Sequence, residues 1–380
     1  MLMVRAARLF DGERMVDQPN VLIDGGTIVD VSVTVPADAT TVDLGDATLL
    51  PGLIDCHQHL CFDGSGTLEE QVSDIDDDRL LARARECAQQ ALRAGVTTLR
   101  DLGDRGFLTL ALRGDPTLPT ILAAGPPITT PGGHCWYLGG ECDGAADLRR
   151  AVAVRAEAGC DVVKVMVSGG FLTPTVPMWE SQLDAEDLRL LVGDAHRRGL
   201  PVAAHCHGNG AIAQALDAGA DTIEHCTFFT DGFRSDPPDE LIDRLAASDV
   251  VISATLGRLP DMPVPPVVAA NLPILNAARG RLHELGATIV VGTDAGINEV
   301  KPHDVLPHAI TDLLDSGMTP IEALCALTSV AARALSVDDH KGRLASGLDA
   351  DVIAVGGDPL ADPSALTSVV AVWRAGHRVV

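Results

Sequence analysis

Lysine is almost absent from this 380-residue chain: Lys164, Lys301 and Lys341 are the whole set, and the other 25 of its 28 basic residues are arginine. No run rich in Lys and Arg forms, and the formal net charge is −25. Such a field repels nucleic acid and anionic membrane surfaces, so neither is expected as a partner. It does not identify the substrate, because net charge governs solubility and steering rather than the chemistry of one pocket. Aromatic residues are also scarce, at 3 %, which removes the usual cue to a large planar ligand. The nine cysteines include no CxxC pair and show no regular spacing, which argues against a disulfide framework and for reduced thiols. No stretch reaches the roughly 20 uninterrupted apolar residues of a membrane helix. Residues 1–11 lack the apolar run and small-residue cleavage site of a signal peptide. A cytoplasmic protein is therefore expected. No G-x-x-x-x-G-K-[ST] and no G-x-G-x-x-G follows a strand-like run, which leaves phosphate-loop and dinucleotide readings without support.

What is present is an ordinary globular composition, 46 % hydrophobic and 21 % charged, at a length that suits one barrel-sized domain with a smaller appendage. Residues 1–50 alternate short β-type runs with turn residues, and residues 341–380 repeat that style in GRLASGLDADVIAVGGDP and SVVAVWRAGHRVV. The two ends are expected to pair into one composite, β-sandwich-like domain. Between them, residues 51–340 alternate short apolar runs with helix-length segments rich in Ala, Leu and Arg, the βαβα signal of a parallel sheet. Eight runs can be counted: LLPGLID, GVTTLR, PTILAAG, DVVKVMV, PVAAH, TIEH, VVISA and TIVVGTD. Eight is the number of a (β/α)₈ TIM barrel; a doubly wound open sheet is the competing α/β fold. Helices are expected over Asp74–Ala94, Ala145–Ala158, Ala185–Arg198 and Pro320–Leu335, with Gly95, Gly159 and Gly199 ending the first three.

In such a barrel the active site lies at the C-terminal ends of the strands, where polar residues can converge. The first run leads into Asp55-Cys56-His57-Gln58-His59, and His57 and His59, two apart, share one face of an extended segment. The fifth run ends on His205, the sixth on His225 and the eighth on Asp294. The fourth carries Lys164 inside an apolar run, where a bare ammonium is costly unless neutralised or modified. His207 either shares the cleft with His205 or caps the next helix. Cys206 and Cys226 alternate away from the histidines as packing residues, and Asp101, ending the second run, has either a supporting or a purely structural role. His303 and His308 follow the eighth run and could line the pocket mouth. His196, His283, His340 and His377 read as surface or satisfied core residues.

PGLIDCHQH, the embedded lysine, AHCHG, IEHCTF and GTDAG, in this order, resemble the amidohydrolase superfamily, in particular its imidazolonepropionase-like and Xaa-Pro or Xaa-Arg dipeptidase-like branch. The resemblance extends through GVTTLRDLGD, TPGGH and VSGGFLTP to the terminal GLDADVIAV, while TVPMWES departs from any recognisable specificity pattern. It implies two divalent metals, one held by His57, His59 and Asp294, the other by His205 and His225, bridged by Lys164 as an N-carboxylated lysine. Zinc is the first choice for mixed imidazole and carboxylate ligation, with manganese or cobalt as substitutes. Asp294 would serve as general base and then acid, and His134, on the loop after the third run, would stabilise the oxyanion. Trp136 and Tyr137 beside it would face the substrate. The reaction implied is hydrolysis of a C–N bond in a peptide-like, N-acyl amino acid or cyclic amide small molecule. A lactone, ester or phosphotriester hydrolase on the same two metals, and a non-catalytic barrel, are the rival readings; homo-oligomerisation is left open.

Overall fold

The computed structural model describes residues 1–31, 39–171, 173 and 176–380. Its centre is a ring of eight parallel strands: β1 (Leu53–Gln58), β2 (Val96–Asp101), β3 (Thr120–Ala123), β4 (Val163–Met166), β5 (Val202–Gly208), β6 (Thr222–Thr230), β7 (Val251–Thr255) and β8 (Ile289–Gly292). Ladders join β1 to β2 to β3, and β4 through β8 in order. Two bridges close the ring. Ile128, just past β3, pairs with Val165, and Gln58 pairs with Ala295, just past β8. The backbone N–H of Ile128 donates to Lys164 O at 2.8 Å, and that of His59 to Ala295 O at 3.1 Å. The fold is thus the (β/α)₈ barrel of the α/β class rather than an open sheet.

Every residue of β1, β2, β4 and β5 is buried, as parallel strands covered by helices outside and by packed side chains inside must be. The covering helices are amphipathic. In Asp77–Arg93 the buried positions Leu80, Ala84, Cys87, Ala88 and Ala91 recur at helical spacing, and the Asp76 carboxylate caps the first turn by accepting from Arg79 N–H. The helix expected over Pro320–Leu335 is in fact two, Pro320–Ala326 and Ser329–Ala334. The break has a local cause: Leu327 O accepts from the Ile54 N–H of β1, and the Thr328 hydroxyl donates to Leu324 O, so helical bonding is diverted to the barrel floor.

Outside the barrel two sheets face each other. One orders Thr27–Val31, Asn20–Asp24, Leu2–Arg5 and Thr40–Asp43; the other orders His377–Arg378, Val369–Arg374, Val352–Gly356, Ala47–Pro51 and Arg8–Leu9. Val4, Ile28, Leu49, Val352 and Trp373 fill the space between them. The second sheet joins segments from the two terminal regions, since Val352–Gly356 runs antiparallel to Ala47–Pro51 with Ile353 opposite Leu50. Among the described residues no helix is long and apolar enough to cross a membrane.

Candidate metal centre

The C-terminal ends of the barrel strands bring two donor clusters together: His57, His59 and Asp294, and His205, His207 and His225. In the first, His57 Nε2 and His59 Nε2 lie 3.2 Å apart, and Asp294 Oδ1 is 3.4 and 3.2 Å from them. None of these three atoms has a hydrogen to offer the others. His57 Nδ1–H donates to Glu224 Oε2 at 2.9 Å, which leaves Nε2 a lone pair. His59 Nδ1 faces the Gly103 carbonyl at 3.4 Å, so its Nε2 is a lone pair as well. Two lone pairs and a carboxylate crowded this closely are reconciled by a cation. The second cluster is closed by a contact between its own imidazoles. His205 Nε2–H donates to Gly169 O at 3.1 Å, leaving its Nδ1 as the acceptor atom that faces His225 Nε2 at 2.8 Å. His225 turns Nδ1 to the Thr255 hydroxyl at 3.2 Å.

Lys164 adjoins both clusters. It is 1 % exposed, among the described residues its Nζ has no hydrogen-bond partner, and an ammonium there would act on His57 in one cluster and on His205 and His225 in the other. Burial lowers its pKa, favouring the neutral amine. Burial likewise pushes His57 down to about 4 and His134 and His207 to about 3, and holds His205 and His225 well below the usual histidine range. These imidazoles are neutral at pH 7 and can offer lone pairs. Burial alone would raise Asp294, but its polar surroundings, Lys301 among them, outweigh it and hold the carboxylate below its usual range. The donor set of neutral nitrogens, one anionic oxygen pair and an unpartnered buried amine fits divalent cations.

Support beneath the donors comes from residues the sequence did not single out. Glu224 is fully buried, accepts from Arg100 at 2.9 Å and from the Thr222 hydroxyl at 2.6 Å, and fixes the His57 tautomer. Burial opposes its ionisation, yet Arg100 and His57 hold it below the usual carboxylate range. Asp55 accepts from the Thr293 hydroxyl at 2.6 Å and ties β1 to β8. His225, Cys226 and Asp294 all take left-handed backbone, with φ of 65°, 51° and 60°, strain of the kind that persists where surrounding structure over-determines it.

The remaining sequence candidates divide. His134 reaches the cluster, its ring centroid 4.6 Å from that of His205 and its Nδ1 3.1 Å from the Thr173 hydroxyl. Gly170 makes this possible, since a Cβ there would occupy the His134 imidazole. The SGG-x-x-[ST]-P resemblance extends over Leu172 and Pro174, outside the described residues. Trp136 and Tyr137 face each other, ring centroids 6.2 Å apart, and among the described residues neither shares a ring contact with the site histidines. His207 joins the cleft, stacked on His225 at 4.4 Å. Asp101 accepts from Gly103 N–H at 3.0 Å and so shapes the loop that turns its carbonyl to His59. His303 does not line the mouth; it is buried between Gln58 Oε1 at 3.0 Å and Phe62 O at 2.8 Å. His308 lines an outer groove with Arg93 and Thr367. Cys206 and Cys226 are core residues, while His196 and His340 pair with Asp221 and Asp339 at or near the surface.

The amidohydrolase family model matches residues 48–379. The chain belongs to the amidohydrolase family. The amidohydrolase is 29 % identical over 374 residues to the ochratoxinase of Aspergillus niger, covering 86 % of this chain and 75 % of that protein. It is 27 % identical over 388 residues to the imidazolonepropionase of Deinococcus deserti, covering 90 % and 87 %. A crystal structure of a Xaa-Pro dipeptidase with bound methionine superposes on it with a TM-score of 0.86 and 27 % identity, over 99 % of both chains. The amidohydrolase is accordingly a metal-dependent hydrolase.

Proposed function

We propose that this amidohydrolase cleaves the amide of a small peptide-like or N-acyl amino acid substrate on a two-cation centre. His57, His59 and Asp294 would hold one cation, His205 and His225 the other, and Lys164 would bridge them as a carbamate, with zinc the first candidate. The observation that carries this reading is Lys164 Nζ, buried and, among the described residues, without a hydrogen-bond partner, in a site with two clusters of metal-ligating side chains. A neutral amine combines with CO₂ to give a carbamate anion and a proton, which turns an awkward buried cation into a pair of ligand oxygens. When bound, the cations would supply an acidified water and a polarised carbonyl.

The protein's own groups do the rest. Asp294 is held by its N–H, which donates to His57 O at 2.7 Å, and its ionised carboxylate is suited to take a proton from the attacking water and return it to the departing amine. With the Thr173 hydroxyl donating to His134 Nδ1, His134 Nε2–H, which faces Cys135 Sγ at 3.5 Å, would turn from the thiol to the developing oxyanion. His57 is kept in one tautomer by Glu224 throughout. The test is elemental analysis of chelator-free protein beside a Lys164→Ala variant. About two metals per chain, falling in the variant, supports the carbamate; about one, unchanged by the substitution, refutes it. Paired amide, ester and phosphotriester panels decide the bond, and activity confined to the latter two overturns the amide assignment.

A further inference from the structure

Four of the eleven aromatic residues of this chain gather at one place. Of seven phenylalanines, three tryptophans and one tyrosine, Phe10, Phe62, Phe228 and Trp373 are fully buried in cores. Phe171, Trp179, Phe229 and Phe233 instead cluster above β5 and β6, and all four keep access to solvent. The contacts form a continuous path out of the site. His207, stacked on His225, lies 5.9 Å from Phe229; Phe229 lies 6.3 Å from Phe233; and Phe233 contacts Trp179 at 5.1 Å and Phe171 at 5.9 Å. Phe171, at the outer end, is 60 % exposed. Among the described residues no arginine or lysine stacks on these rings, the observed cation–π contact being Arg378 over Trp373.

The path is built rather than incidental. After its barrel segment β6 turns back as a hairpin, pairing Phe229 with Ser235 and Thr230 with Arg234. The turn is anchored from both sides by Asn271, whose Oδ1 accepts from Ser235 N–H at 2.7 Å and whose Nδ2 donates to Phe233 O at 2.7 Å. Phe233 is held there at a φ of 59°, unusual for a bulky side chain. Trp179 lies against Gly208 so closely that a Cβ would strike its backbone. Solvent-facing rings anchored as Phe233 and Trp179 are lose little freedom when a ligand arrives.

We infer that this wall is a specificity subsite that seats a bulky apolar, aromatic side group flanking the scissile amide, so that the substrates are amides of large hydrophobic residues. The inference rests on the proposed amide hydrolysis, and its test separates the two. The dipeptides Phe-Ala, Ala-Phe and Ala-Ala are compared by kcat/KM on metal-loaded enzyme. A Phe-bearing peptide is expected to exceed Ala-Ala by roughly 10- to 100-fold, the range in which hydrophobic pockets discriminate. Phe171→Ala and Phe233→Leu should each cut that ratio several-fold, whereas Val370→Ala, on the terminal sheet, should leave it as it is. Phe171 is exposed enough that its loss does not open a core. Equal rates for all three peptides, or a ratio unmoved in both ring variants, overturns the subsite. If no dipeptide is cleaved, the amide reading is what fails, and Trp179 emission still decides the wall: a shift with N-acetyl-phenylalanine, absent with N-acetyl-alanine and absent in Trp179→Phe, sustains it, and no shift removes it.

Discussion

At the scale of single residues, Asp294 and Glu224 carry separable duties, and substitution should separate them. Asparagine tolerates the left-handed backbone at 294, so Asp294→Asn should fold while kcat falls by about 10²- to 10⁴-fold, the worth of a positioned acid–base group; a steady-state assay beside a thermal melt checks both halves. Glu224→Gln keeps size but loses the charge that orients His57, and should weaken metal affinity by about 10- to 100-fold, read by competition with a chelator. Unchanged affinity would mean that Glu224 serves packing alone. His57 and His59 stood out in the sequence because two imidazoles two apart in an extended run share a face. Glu224 did not, because simple alternation would turn it away from the face of His225. The left-handed φ at His225 and Cys226 breaks that alternation, so Glu224 and His225 both serve the barrel interior. Such a kink leaves no mark in the residue pattern.

Elements set how closely these groups approach. Gly170, on the loop after β4, admits the His134 ring, so Gly170→Ala should displace it and cost about as much kcat as losing one oxyanion donor, roughly 10²- to 10³-fold. Gly170→Ala and His134→Ala combined should then cost little more than either alone, and full additivity in the double mutant would speak against the shared cause. The eight apolar runs marked the barrel strands because a parallel strand buried on both faces is written in unbroken Val, Ile, Leu and Ala. Less legible was the interruption at Leu327 and Thr328, which depends on a partner from β1 far away in sequence. The aromatic path was equally hidden, being assembled from the loop after β4 and the β6 hairpin, with no spacing rule to join them.

For the molecule as a whole, buried histidines should set the acid limit. His57, His134, His207 and His303 titrate at about 3 to 4 in the folded chain against 6.5 for the free side chain. Their depressed values mean that stability is intact above about pH 6.5 and is lost as pH falls towards 4, at up to about 1.4 kcal/mol per histidine per pH unit. Asp55, raised to about 6, and Asp101, raised to about 7, act in the opposite direction over part of that window but are outnumbered. Denaturant midpoints should therefore drop between pH 6.5 and 4, and a flat profile would contradict the neutral assignment of the cluster. We propose that residues 1–50 and 341–380 behave as one unit beside a barrel of residues 51–340. If so, the pairing of Ala47–Pro51 with Val352–Gly356 has a cost in time. On a ribosome adding about 5 to 20 residues per second, the early strand waits roughly 15 to 60 s for its partner to be synthesised. Through that interval its edge is open, and the growing chain depends on chaperones or on a provisional collapse to keep it from pairing with a stranger.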